Sequence, residues 1–381
     1  MTRGRDNRPD AGTIGGPISG PIMIMAGGTG GHIFPGLAVA AELQRRDEAV
    51  VWLGTRRGLE ARLVPEAGID IEWIAIRGLR GRGWRAWLLT PLQLIAAVVQ
   101  VLGAFRRRRP RAVLGLGGFV SAPGALAAWL TRRPLIVHEQ NAVAGTANRF
   151  VAPLARRVFA AFPDAFAARD DVEVIGNPVR ADIAALAPPA QRIAAREGQK
   201  LRVLVVGGSQ GARILNECLP QALAAMPAQH RPQVHHQAGR EFEAAQSHYA
   251  AAGIDDVHLE AFIDDMAGAY AQADFVIARA GALTIAELEA AGIGAILVPY
   301  PHAIDDHQTR NAESFARDGA GIVVAESQLS PQRLAEELNA LAGDRARVLQ
   351  MAQTARAQAK TDATQRLAQA CIDAGARGEV A

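Results

Sequence analysis

The sequence predicts an α/β protein of two similar halves, each a parallel sheet with helices on both faces. Three observations predict it. Short apolar runs alternate with helical patterns along the chain. A strand–glycine loop–helix unit occurs twice: the run 22–26 leads into Gly27-Gly28-Thr29-Gly30-Gly31-His32, and the run 203–206 into Gly207-Gly208-Ser209-Gln210-Gly211-Ala212. Runs such as Ala295-Ile296-Leu297-Val298 are apolar throughout, as strands covered on both faces should be. Each glycine unit aims backbone N–H groups and a helix N-terminus at whatever lies beyond its strand, which favours an anion. Two such units predict two domains facing one ligand cleft.

In the first half the pattern places strands at 21–26, 49–53, 71–76, 112–116, 134–138 and 157–161. Helices fall near 32–46, 58–66, 84–107, 121–131 and 145–153. In the second half strands fall at 201–206, 233–236, 257–260, 274–277, 295–298 and 321–324, with helices at 211–225, 240–251, 282–291 and 306–316. The break between domains comes at Gly176-Asn177-Pro178-Val179-Arg180, followed by an Ala-, Pro- and Gln-rich connector over 184–199. Beyond residue 329 the pattern is helical, and Thr361-Asp362 reads as an N-cap before a last helix. Residues 1–19 are polar and rich in Gly and Pro, the composition of a disordered tail. The expected domains are therefore 20–179 and 180–361, with the helix of 362–381 packing back on the first.

The composition fits this class. The 381 residues allow two or three domains, and 49% hydrophobic residues with only 5% aromatic and 38 glycines suit an Ala/Leu/Val-built α/β enzyme. They exclude a disordered chain and argue against a β-sandwich. Net charge is only +3, but the arginines cluster: Arg77, Arg80, Arg82 and Arg85 in one group, 106–109 and Arg111 in another. Such patches suit phosphates or an anionic membrane surface. No single-strand stacking fold is suggested, so nucleic acid is not an expected partner. The segment 74–87 interleaves these arginines with Leu79, Trp84 and Trp87, a membrane-interface composition. The uncharged stretch 88–105 is interrupted by Thr90, Pro91, Gln93 and Gln100, and reads as a helix on the sheet or at the interface rather than a span. Cys218 and Cys371 lie in helical patterns and read as buried small residues in a reducing compartment; no signal peptide is visible.

Several motifs carry chemistry. The first glycine loop lacks the third glycine of a dinucleotide fingerprint, since Ile33 stands there, and no acid follows the second strand, where Gly54-Thr55-Arg56-Arg57 stands instead. The chain has no G-K-[ST] triplet, so phosphate binding rests on backbone alone. His32, at the start of the following helix, suits proton transfer. His138-Glu139-Gln140-Asn141 closes an apolar strand where open α/β sheets bind ligands, although part of it also suits capping of the next helix. Arg180 at the break suits a diphosphate clamp. In 279–287, small residues and Thr284 open a helix aimed at the cleft. Glu287, one turn in, suits either a ribose diol or the helix dipole. The stretch from His302 to Gln308 holds two His and two Asp, yet sugar contact is expected there rather than a metal; with no D-x-D in the chain, no metal or cofactor is expected.

Taken in order, Gly27-Gly-Thr-Gly-Gly-His32, Gly115-Leu-Gly-Gly-Phe119-Val-Ser, His138-Glu-Gln-Asn141, Gly176-Asn-Pro-Val-Arg180, Gly207-Gly-Ser-Gln-Gly-Ala212, Phe262-Ile-Asp-Asp-Met266, Gly281-Ala-Leu-Thr284 and Asp305-Asp-His-Gln308 resemble the MurG family over about residues 20–375. That family comprises the bacterial N-acetylglucosaminyltransferases that convert lipid I to lipid II in peptidoglycan synthesis. The resemblance implies the GT-B arrangement: two Rossmann-like domains with parallel sheets facing a deep cleft. The N-terminal domain would take the lipid acceptor and the membrane, the C-terminal domain UDP-N-acetylglucosamine. By motif match, Ile263 would offer its backbone to uracil and Glu287 would bind the ribose. Ser209, with Gln210 beside it, and Arg180 would hold the diphosphate. Ala282, Leu283, Thr284, Ile285 and Ala286 would line the donor site. Gln308 and Asn141 would contact the sugar, and Thr29, Gly30 and Gly31 would close on the donor from the other domain. Some members have Tyr where Phe119 stands, so a hydroxyl there is not essential.

The implied reaction is an inverting attack by the 4-hydroxyl of N-acetylmuramic acid, on undecaprenyl-pyrophosphoryl-MurNAc-pentapeptide, at C1 of UDP-GlcNAc. His32 is the candidate base, with Glu139 or His138 as substitutes. Implied partners are UDP-GlcNAc, lipid I, anionic lipids and other cell-wall synthesis proteins, with peripheral localisation on the cytoplasmic face of the inner membrane. Two readings stay open beside it: another UDP-sugar enzyme of this arrangement, with a different acceptor or epimerase chemistry, and a non-catalytic nucleotide-sugar binding module.

Overall fold

The computed structural model describes residues 20–76, 84–166, 169–208, 211–303 and 306–376, with side chains over 84–91 left aside. Leu79, Ser209, Gln210, Asp305 and the side chains of Trp84 and Trp87 thus lie outside the described residues, as does the tail 1–19.

Two all-parallel sheets dominate the described residues. The first has strands β1 (Ile22–Met25), β2 (Val50–Gly54), β3 (Asp70–Trp73), β4 (Ala112–Gly115), β5 (Leu135–Glu139), β6 (Arg157–Ala160) and β7 (Val172–Val174), in spatial order β3-β2-β1-β4-β5-β6-β7. The second has β8 (Arg202–Val206), β9 (Gln233–Gln237), β10 (Val257–Glu260), β11 (Phe275–Ala278), β12 (Gly294–Leu297) and β13 (Gly321–Val323), in order β10-β9-β8-β11-β12-β13. In both, the order reverses beside the first strand, between β1 and β4 and between β8 and β11. Both glycine loops follow those central strands. They therefore sit at the switch points where doubly wound sheets form ligand crevices.

Central strands are apolar because both faces are covered: every residue of β1, β4, β11 and β12 is buried. Helices Gly30–Arg45 and Ala363–Ala376 pack on one face of the first sheet, where Leu367 and Cys371 join a core with Ile22, Ile24 and Leu114. The chain thus passes to the second sheet after Arg180 and returns before Ala363; at that return the Thr364 hydroxyl donates to the Val179 carbonyl at 3.2 Å. The other face of the first sheet carries helices Trp84–Arg108 and Ser121–Leu130. Among the described residues, no helix is long and apolar enough to cross a membrane.

The elements not expected from the sequence include the single turn Ala181–Ala184 and two others. Strand β7 is only three residues of Val-Glu-Val at the sheet edge. Helix Met266–Gln272 is seven residues rich in Ala and Gly, capped by the Asp265 side chain at the Gly268 amide.

Candidate active site

The carboxyl ends of the two sheets meet across short polar contacts. The Ala142 amide donates to Asn311 Oδ1 at 3.0 Å, and Asn311 Nδ2 donates to the Ala280 carbonyl at 3.1 Å. Asn177 Nδ2 reaches the Gln140 carbonyl at 3.0 Å and the Ala282 carbonyl at 3.3 Å. The Arg180 guanidinium lies 6.0 Å from the ring centre of Phe34. Gln140, Asn177 and Asn311 are all buried.

The loop after β1 is built by close backbone approach. Gly118, with φ at +81°, packs so tightly on it that a Cβ would stand 2.3 Å from the Gly27 carbonyl oxygen, so only glycine fits. A fully buried carboxylate braces the loop from below. Glu60 accepts from the Gly28 amide at 3.1 Å, the Thr55 amide at 3.1 Å and the Thr55 hydroxyl at 2.7 Å. Helix Gly30–Arg45 starts at Thr29 without a side-chain cap, leaving its first N–H groups open.

His32 sits half-buried on that first turn, and a chain of hydrogen bonds sets its tautomer. Gln140 Nε2 lies 3.2 Å from the His138 carbonyl and 3.3 Å from His138 Nδ1, so the amide nitrogen must face His138. Gln140 Oε1 then faces His32 Nδ1 at 3.1 Å and can only accept. The His32 proton is therefore on Nδ1, and Nε2 keeps its lone pair. His138 ends the chain, donating from Nε2 to the Gly176 carbonyl at 2.9 Å. Burial pushes the His138 pKa down to about 4, so the ring is neutral and fit for this relay.

The two substitute bases stand differently. His138 is fully buried with both ring nitrogens engaged. Glu139 is buried too: Oε1 accepts from the Asn141 amide and side chain, and Oε2 from the Gly145 amide at 3.0 Å and Asn148 at 2.8 Å. Both side chains hold the loop 138–148 in place and leave no atom open to a substrate proton.

The second half presents a matching set. Gly211 follows the loop after β8, and a Cβ there would stand 2.2 Å from the Ala238 carbonyl oxygen. Helices Arg213–Ala225 and Ala282–Ala291 both begin without a side-chain cap. Those at Met266, Pro331 and Arg345 are capped by Asp265, Ser330 and Asp344. Ala282, Ile285 and Ala286 are buried on that second helix, while Leu283 and Thr284 are half-buried at its start. Glu287, one turn further, is buried; Oε2 accepts from the Tyr270 hydroxyl at 3.1 Å and Oε1 lies 3.6 Å from Arg180. Burial raises its pKa to about 7, against the opposing pull of Arg180 and Tyr270. Arg180 Nε and Asn177 Oδ1 are buried with no hydrogen-bond partner in the described protein. Ile263 is buried next to the Asp265-capped helix, and Gln308 accepts from the Tyr300 amide at 2.9 Å.

Sequence reasoning missed Glu60, Gln140's relay role, Tyr270, Asn177's bridge and Asn311. Nothing local marks them, because each has a partner on another segment of the chain.

The glycosyltransferase family 28 N-terminal domain matches residues 22–160, and the family 28 C-terminal domain residues 202–367. The chain is 56% identical over 353 residues to the UDP-N-acetylglucosamine--N-acetylmuramyl-(pentapeptide) pyrophosphoryl-undecaprenol N-acetylglucosamine transferase of Nitrosococcus oceani, covering 92% of this chain and 98% of that one. It is 55% identical to the protein of the same name from Alkalilimnicola ehrlichii, covering 93% and 98%. The fold superposes on Acinetobacter baumannii MurG with a TM-score of 0.78 at 37% identity, covering 93% of this chain and 99% of that structure. This two-sheet architecture is the GT-B arrangement, and the chain belongs to the MurG family of glycosyltransferase family 28.

Proposed function

We propose that this enzyme moves N-acetylglucosamine from UDP-GlcNAc to the 4-hydroxyl of MurNAc in undecaprenyl-pyrophosphoryl-MurNAc-pentapeptide, with inversion, converting lipid I to lipid II in peptidoglycan synthesis. The relatives that carry this activity in their names align over more than nine-tenths of both chains. The observation that carries the mechanism is the relay His32–Gln140–His138, which leaves His32 Nε2 as an acceptor beside the junction of the two sheets.

His32 takes the acceptor proton as general base. His138, Gln140 and Glu139 are positioning residues. The donor lies against the second sheet: Glu287 accepts from the ribose diol, and Arg180, whose Nε has no protein partner, meets the diphosphate. Ser209 and Gln210 join it there from the glycine loop. The open amides at Ala282, Leu283 and Thr284, with Ile285 and Ala286 behind them, stabilise charge growing on the leaving UDP. Ile263 receives the base, Gln308 and Asn141 the sugar, and Thr29, Gly30 and Gly31 close over it from the first domain. The domain boundary of this reading lies between Val179 and Arg180.

The enzyme works peripherally on the cytoplasmic face of the inner membrane, where its lipid acceptor lies. Leu92, Ile95 and Val99 support this: they are 63%, 59% and 62% exposed at i, i+3 and i+7 of helix Trp84–Arg108, whose end carries the exposed Arg106 and Arg107. Trp84 and Trp87 belong to the start of that helix, and Leu79 precedes it in the sequence.

The deciding assay measures acceptor-dependent UDP release from UDP-GlcNAc, UDP-Glc and UDP-GalNAc, with lipid I and with diacylglycerol as acceptors. Turnover with lipid I and UDP-GlcNAc is expected. Turnover with diacylglycerol instead would assign a different acceptor class, and binding without turnover would assign a binding module.

A further inference from the structure

Away from the active site, the outer edge of the second sheet gathers three metal-ligating side chains on one face. His258 and Glu260 lie two residues apart on the edge strand β10, so they point the same way. His235 on β9 stands in register opposite His258. Both imidazole Nε2 atoms converge on one carboxylate oxygen: His235 Nε2 lies 3.0 Å from Glu260 Oε1, and His258 Nε2 also contacts that oxygen. The two rings meet edge-on with centroids 4.5 Å apart. The three ligand atoms lie within 4.8 Å of one another, and no other such trio occurs among the described residues.

We propose that His235, His258 and Glu260 bind a divalent transition-metal ion of the zinc class. Two imidazoles and one carboxylate suit such an ion, and the face is open to water for the remaining position. In a tetrahedral site, ligand atoms stand roughly 3.3 Å apart, so the present spacing needs side-chain adjustment of about 1–2 Å. All three ligands sit on β-strands held by the ladder, so the cage is fixed by backbone pairing rather than by a loop. The ion would replace the protons between the two rings and the carboxylate, and would clip the edge strand to its neighbour β9. Glu260 also accepts the Ala238 amide through its carbonyl at 2.8 Å, and Ala238 is the residue on which Gly211 packs. The clip therefore stiffens the floor of the second glycine loop. Spacing alone does not reveal this site, because His235 lies on the neighbouring strand, a helix away from the other two.

The test uses full-length, untagged protein freed of metal by chelation and desalting. Zn²⁺ is titrated calorimetrically, Co²⁺ is followed by its visible d–d bands, and the thermal midpoint is read with and without Zn²⁺. One ion per chain is expected, with a midpoint rise of about 2 °C or more. His258→Ala and Glu260→Gln, on exposed and half-exposed side chains, should each weaken binding by at least the roughly 10–100-fold that losing even a supporting partner costs. His302→Ala, at an exposed histidine outside the trio, should leave it unchanged. Absence of Co²⁺ bands in the parent, or binding that survives both His258→Ala and Glu260→Gln, would overturn the proposal.

Discussion

His32 Nδ1 and Gln140 Oε1 lie 3.1 Å apart, and this contact decides which nitrogen of the imidazole holds the proton. A carboxamide oxygen cannot donate, so the lone pair is left on Nε2. Replacing His32 with Ala should lower kcat by about 10²–10⁴-fold. Gln140→Leu keeps the base but frees its tautomer. It should lower kcat by roughly 10-fold with little change in KM for UDP-GlcNAc, since in this proposal Gln140 itself does not touch the donor. Single-turnover rates at saturating donor check both. A few-fold loss in His32→Ala with an unchanged pH profile would remove His32 from the role.

Glu287 should make donor binding depend on pH. Its pKa is raised from 4.5 to about 7 by burial, so near neutrality much of it is protonated in the empty site. The ribose diol donates to a carboxylate, so KM for UDP-GlcNAc should rise as pH falls below about 7, approaching tenfold per unit. Glu287→Gln should flatten that dependence at a uniformly high KM. Initial-rate titrations from about pH 5 to about pH 8, which bracket the raised pKa of about 7, check this.

The same shift acts on stability with the opposite preference. A carboxyl whose folded pKa is raised favours the fold when protonated. That contribution is complete below about pH 4.5 and is lost as pH rises through about 7. At pH 8 the ionised Glu287 should cost roughly 3 kcal/mol relative to acid conditions. Glu287→Gln should therefore unfold at higher urea concentration than the parent at pH 8, and the gap should close towards pH 5. A variant weaker in binding but stronger in folding is the signature of a residue kept for its ligand.

Glu60 braces two loops with one carboxylate. Glu60→Ala removes the buried acceptor of the half-buried Gly28 and Thr55 amides and should destabilise the fold by about 2 kcal/mol. Urea unfolding followed by tryptophan fluorescence reads this directly. Loss below about 1 kcal/mol would mean that water replaces the carboxylate.

Membrane docking should be separable from chemistry. Leu92→Glu with Ile95→Glu removes two exposed apolar side chains and adds two negative charges to the face proposed to meet lipid. Sedimentation with anionic vesicles should weaken by about 100-fold, while turnover on a water-soluble short-chain acceptor stays near the parent value. Equal vesicle binding by parent and variant would move the docking surface elsewhere.

The strand and helix order was readable because parallel strands covered on both faces leave unbroken apolar runs, as 22–25 and 294–297 do. Strand β7 escaped because three residues at a sheet edge carry too little apolar signal, and helix Met266–Gln272 because its Ala and Gly residues have no clear period. In the site, glycine loops and helix starts were visible as local patterns. The partners that organise them were not. Glu60 looks like an ordinary first-turn acid, and Asn311 like a polar residue in mid-helix. Each acquires its meaning only when a segment from far along the chain arrives beside it.

The amide of Asn177 touches the backbone of Gln140 on one side and of Ala282 on the other. The two halves thus share one amide. Parting them would strip Asn177 of one of its two acceptors, while the chain of bonds from His32 through Gln140 and His138 to Gly176 lies wholly in the first half. The His32 tautomer is therefore the same whether the halves are together or apart, and opening the cleft leaves the imidazole already set.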